Sequence, residues 1–175
     1  QAFVLRFPAR TQSPETLAVS LLKRSKKRLI MILTFKQRED SQNITQEELN
    51  DFEALIGFTL PQDYRLHMFT HNGGVVNEDV KHINYPEGGE GISYFYEIKY
   101  GNYTIEQIFS NLKGKIPDGY LAIGSTDNCG HIIISLNNDN TYGNTKEWFP
   151  DGYIYDLSPS FTQLLNDMVL DEYID

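Results

Sequence analysis

Apolar residues change their period several times along this chain, and each change predicts an element. Between Ile44 and Gly57 the residues Leu49, Phe52, Leu55 and Ile56 recur at helical spacing, so they predict one buried stripe, with Glu47, Asn50, Asp51 and Glu53 turned to water. Thr45 and Glu48 have the spacing of a capping box, Ile44 can staple to Leu49 across it, and Gly57 stands where a helix stops. A second helix is framed by Leu60-Pro61 and Asn72-Gly73-Gly74. Pro61 suits its first position, Tyr64, His67, Met68 and His71 share a face, and the Asn-Gly-Gly run tolerates the left-handed backbone of a helix end. Val75 to Gly91 reads as an irregular loop, rich in Gly, Asn, Glu and Lys.

From Ile92 to Ile98 the period drops to two. Ile92, Tyr94, Tyr96 and Ile98 fall on one side and Ser93, Phe95 and Glu97 on the other, which predicts a strand with one face buried and one open to a partner. Ile105, Ile108, Phe109 and Leu112 predict a helix capped by Thr104, ending near Gly114 and crossing the sheet. Tyr120–Ile123 and His131–Leu136 predict a hairpin. Glu147–Phe149 and Tyr153–Tyr155 predict two more strands about the turn Pro150-Asp151-Gly152. A last helix opens at Ser158 or Pro159 and carries the stripe Phe161, Leu164, Leu165 and Met168. The sum is an α+β fold, a mainly antiparallel sheet with the N-terminal helices and a C-terminal helix packed on it.

The order of three motifs carries a resemblance. The first is Ile44-Thr45 with Glu48, then Leu60-Pro61, Asp63-Tyr64 and Asn72-Gly73-Gly74; the second runs from Tyr120 to Leu136; the third from Tyr155 to Leu165. Together they resemble the SUKH superfamily, the Smi/Knr-like proteins, over Met31 to Asp175. The resemblance implies a SUKH-like fold with Leu60, Pro61, Tyr64, Asn72, Gly73 and Gly74 as structural motif. For a bacterial member it implies an immunity protein that binds and neutralises a cognate protein toxin, frequently a nuclease, of a contact-dependent or polymorphic toxin system. Such a protein is no enzyme and needs no cofactor. The alternative is an intracellular regulatory scaffold, the role of yeast relatives; these sit in longer chains with flexible extensions, whereas here the body ends within ten residues of its last helix, which favours immunity.

Composition and charge sharpen this picture. The 175 residues fit one domain, and Cys129, the single cysteine, leaves no intrachain disulfide and suits a reducing cytoplasmic interior. No apolar run approaches the roughly 20 residues of a membrane helix. Gln1 to Ile30 holds seven basic residues against Glu15, a net of +6, so residues 31–175 hold eight basic against twenty-three acidic residues, a net of −15. This sets a boundary at Met31. The basic extension 1–30 is either sequence added by cloning or translated from upstream, or a transit peptide or nucleic-acid arm. An acidic body repels nucleic acid and attracts a basic protein.

The motifs of catalysis do not assemble. Asn72-Gly73-Gly74 lacks the Lys and Ser/Thr of a phosphate loop, and no Gly-x-Ser-x-Gly elbow occurs. Cys129 and His131 are two apart, but a thiol nucleophile needs a base in reach, and a lone cysteine reads as a small core hydrophobe. His67 and His71, one turn apart, stand where the resembled family carries apolar or aromatic residues; two ligands make a poor zinc site, and packing histidines are the favoured reading. The expected function is binding, with Glu97, Asp127, Glu147 and Asp151 steering a basic partner and Tyr94, Tyr96 and Trp148 anchoring it. Of Trp148 and Phe149, adjacent on one strand, one points inward.

Overall fold

The computed structural model describes residues 35–76, 80–82 and 91–170, with backbone alone at 80–82 and 169–170. The expectations for residues 1–30, for most of the loop after Val76 and for the acidic terminus 171–175 lie outside the described residues.

Strands β1 (Phe35–Lys36), β2 (Gly74–Val76), β4 (Ile92–Phe95), β5 (Tyr120–Thr126), β6 (His131–Ser135), β7 (Thr145–Trp148) and β8 (Ile154–Ser158) form one sheet in the order β1-β2-β4-β5-β6-β7-β8. Every neighbouring pair in it is antiparallel. Strands β3 (Val80–His82) and β9 (Met168–Leu170) pair separately. The helices are α1 (Gln46–Ile56), α2 (Gln62–His71), α3 (Ile105–Leu112) and α4 (Phe161–Asn166). This is the α+β architecture expected of the sequence.

The helix ends form as their chemistry dictates. Glu48 N–H donates to Thr45 Oγ1 at 3.2 Å and Thr45 N–H to Glu48 Oε2 at 2.8 Å, closing the capping box. Pro61 takes the N-cap of α2, one residue before the position its fixed φ suits best. Thr104 and Ser160 cap α3 and α4, each accepting from the N–H three residues on.

At the end of α2, Asn72 adopts the left-handed conformation (φ 45°) and its side chain is fully buried. Its amide nitrogen donates to Gln42 O at 2.8 Å and Ile98 O at 3.1 Å, and its amide oxygen accepts from Ile98 N–H at 2.9 Å. Gly73 (φ 78°) follows, where a Cβ would come within 2.6 Å of Tyr96 O and 2.7 Å of Phe95 O. The Asn-Gly-Gly motif therefore ties α2, the loop before α1 and the end of β4 at one point, and only glycine fits beside the β4 backbone.

Above the sheet, Phe161 from α4 packs against Tyr64 (5.0 Å), His67 (4.9 Å) and Phe95 (5.2 Å) in an aromatic cluster. Several expectations change here. Leu55 is 65% exposed, because Leu49, Phe52 and Ile56 already fill the stripe of α1. The loop after Val76 contains β3, and Met168 leaves the last helix for β9, since β3 and β9 satisfy each other's backbone groups. The period-two run ends as a strand at Phe95; Phe95 and Tyr96 face opposite ways and both are buried.

Candidate functional site

Four of the seven residues assigned to a partner surface are interior. Tyr96 is buried, and its hydroxyl hydrogen-bonds His131 Nδ1 at 2.7 Å. Trp148 is buried against the His131 ring at 5.8 Å, while Phe149 is half-buried, so Trp148 is the inward aromatic of the pair. Glu97 is buried beneath Arg38, whose Nε lies 3.4 Å from its carboxylate and whose guanidinium stands over the rings of Tyr94 and Tyr103 at 5.3 and 5.4 Å. Burial raises the Glu97 pKa despite the arginine. Glu147, also buried, accepts from Thr126 Oγ1 at 2.5 Å, and Thr126 Oγ1 accepts from Gly130 N–H at 3.1 Å. A Cβ on Gly130 would stand 2.4 Å from Glu147 Oε1, so the glycine makes room for the carboxyl. Burial pushes the Glu147 pKa up to about 7. All four side chains are turned inward, away from solvent.

The register explains why. Tyr94, Ser125, His131, Trp148 and Ile154 form one row across five strands, and Phe95, Gly124, Ile132, Glu147 and Tyr155 form the next row on the opposite face. In the second row Phe95, Gly124, Ile132 and Glu147 are buried; in the first Trp148 is buried and Tyr94, Ser125 and His131 are half-buried, and on the last strand Ile154 and Tyr155 are exposed.

The exposed candidates converge elsewhere. Asp127 lies in the β5–β6 turn and Asp151 in the β7–β8 turn, and antiparallel order puts both turns at the same end of the sheet. The tips adjoin, because a Cβ on Gly130 would be 3.0 Å from the Phe149 ring. Ser93 Oγ donates to Asp127 Oδ1 at 2.6 Å, which fixes the first tip to β4. The second tip is a turn closed by Gly152 N–H on Phe149 O, with Gly152 at φ 95° and Phe149 N–H donating to Tyr153 O.

From that turn emerge Tyr153, Ile154 and Tyr155, exposed by 63%, 41% and 39%. Asp156 follows, its side chain 87% exposed and 2.5 Å from Lys146 Nζ. Tyr155 meets Phe149 edge-on at 6.1 Å. The residue pattern predicts this strand but not its exposed surface. The available signal was the run of three apolar residues directly after a Pro-Asp-Gly turn, too continuous for a strand with one wet face. Cys129 is also exposed, held at φ 63° in the β5–β6 tip, instead of the core position expected of it.

The two histidines of α2 lie apart from this surface. His67 is buried among Phe35, Phe95 and Phe161, and burial with the nearby His71 lowers its pKa to about 3, so it stays neutral. Both line a groove of about 310 Å³ with Leu66, Phe161 and Leu165. Among the described residues no three His, Cys, Asp or Glu side chains gather where they could hold a metal ion.

Local pairing accounts for much of the positive charge. Arg38, Arg65, Lys99 and Lys146 are each held by a carboxylate, while among the described residues no ion pair holds Asp127 or Asp151. No described helix is long and apolar enough to cross a membrane. No curated protein matches the chain. The model of the SMI1 / KNR4 family (SUKH-1) matches residues 43–167, from just before the capping box of α1 to the end of α4. With more than two thirds of its length so matched, in the architecture and helix-end motifs described above, the chain belongs to the SMI1 / KNR4 family (SUKH-1).

Proposed function

We propose that this protein is an immunity protein, which binds a basic cognate toxin and neutralises it by occupying its working surface. One observation carries the reading: exposed Tyr153, Ile154 and Tyr155 emerge from the turn that carries Asp151, at the end of the sheet where the Asp127 turn also lies. Aromatic and aliphatic side chains supply the desolvated anchors of an interface, and the carboxylates steer a positive partner to them. A toxin that acts on a phosphate-bearing substrate presents a basic surface of that kind, and the acidic body repels the nucleic acid itself. Binding suffices for this role without catalysis or a cofactor, and such a protein works in the cytoplasm of the cell it protects.

The test is protection. Cells expressing the toxin encoded beside this gene survive with the intact protein and die with a Tyr153→Ala/Tyr155→Ala variant that melts like the parent. Death of cells carrying the intact protein refutes immunity and leaves the regulatory scaffold as the better role.

A further inference from the structure

Strand β8 closes one side of the seven-stranded sheet, and among the described residues it has a strand neighbour on its β7 side alone. Its hydrogen-bond phase follows from the turn. Phe149 N–H donates to Tyr153 O at 2.9 Å, so Phe149 and Tyr153 form a hydrogen-bonded pair. The register then makes Glu147 and Tyr155 the next such pair and leaves Trp148–Ile154 and Lys146–Asp156 as the pairs without bonds between them. The N–H and C=O groups of Ile154 and Asp156 consequently point away from β7, along the open edge.

Sheet edges are ordinarily blunted with lysine, proline or a covering element. This edge instead offers Tyr153, Ile154 and Tyr155 to solvent, and where a lysine would serve as guard it has Asp156, paired with Lys146 on its β7 side and 87% exposed. Charge selects the occupant. A second copy of this chain pairing edge to edge would bring its own Asp156 against the same strand, and two acidic bodies together. A strand carrying basic residues is complementary.

We infer that β8 accepts a strand from a partner protein, an extended segment whose basic side chains lie on the Ile154 and Asp156 face and whose apolar side chains lie against Tyr153 and Tyr155. Main-chain bonds to Ile154 and Asp156 supply the pairing, and the alternation of the segment supplies selectivity. The inference rests on the protein-binding reading above and specifies its contact as backbone pairing along β8.

The probe is a synthetic peptide of alternating lysine and valine, added to the full chain. Amide exchange at Ile154 and Asp156 slows at least about tenfold on saturation, and Ile154→Pro, which deletes an outward N–H without touching the β7 bonds, weakens peptide binding by at least about tenfold. Ile154→Thr keeps the N–H and binds within about threefold of the parent. Unchanged exchange at the two amides, equal binding by Ile154→Pro, or a dimer of the free protein that Ile154→Pro dissolves would each overturn the inference. If Ile154→Pro still protects cells from the toxin, strand addition is wrong while immunity stands; if the intact protein fails to protect yet binds the peptide as described, immunity is wrong while the edge stands.

Discussion

Replacing Glu147 by glutamine isolates the cost of holding a carboxyl inside the sheet. Glu147 is fully buried, and burial raises its pKa from the ordinary 4.5 to about 7. A carboxyl whose pKa is raised on folding binds its proton more tightly in the folded chain than in the unfolded one. Stability is therefore complete below pH 4.5, falls as the pH rises through about 7, and stays lowered above it. The difference between the two values corresponds to about 3 kcal/mol at pH 8. Glu147→Gln keeps an oxygen to accept from Thr126 Oγ1 and has no charge to bury, so it recovers this amount at pH 8 and gains nothing at pH 4. In melting experiments that is a rise of about 6–12 °C at pH 8, with curves that converge toward pH 4. A variant shifted equally at both pH values, or less stable at both, refutes the reasoning. Because Glu147 reaches no surface, the same variant leaves the salt dependence of partner association unchanged.

Other consequences are as direct. Asn72→Ala removes three hydrogen bonds made by a fully buried side chain and costs about 3 kcal/mol in urea unfolding, with the buried Ile98 N–H and C=O left unmatched. Gly73→Ala forces a methyl onto the Phe95 and Tyr96 carbonyls at positive φ and lowers the melting point further than an alanine placed at Gly57, where nothing lies within 4 Å. Thr45→Ala opens the capping box and costs about 1 kcal/mol. A chain lacking residues 1–30 keeps its melting temperature within about 8 °C, the effect of a few kcal/mol at most.

Patterns that report local geometry are legible in the sequence. The capping box, Asn72 and the hairpin at Tyr120 are decided within a few residues by backbone sterics and hydrogen-bond reach, and each formed where its residues implied. Which strand is central is a non-local property, and the pattern along one strand does not report it. Glu147 and Trp148 alternate as an exposed edge would, but the order β6-β7-β8 makes β7 an inner strand; Tyr96 and Glu97 lie just past the end of β4, covered where Tyr96 meets His131 and Glu97 meets Arg38, and buried carboxyls were unreadable without the arginine and threonine that receive them. Asp127 and Asp151 did reach the surface, because turn tips are exposed in almost any arrangement. Tyr153, Ile154 and Tyr155 went unrecognised since nothing in the chain says that β8 is the last strand.

Stopped-flow association with the basic toxin encoded beside this gene is the sharpest measurement. Screening shortens from about 30 Å at 0.01 M salt to about 8 Å at 0.15 M, so the parent's association rate falls steeply over that range while dissociation changes little. Asp127→Lys/Asp151→Lys slows association at low salt by at least about tenfold and flattens its salt dependence. An association rate indifferent to both salt and the double charge reversal would contradict a partner steered to the hairpin end of this sheet.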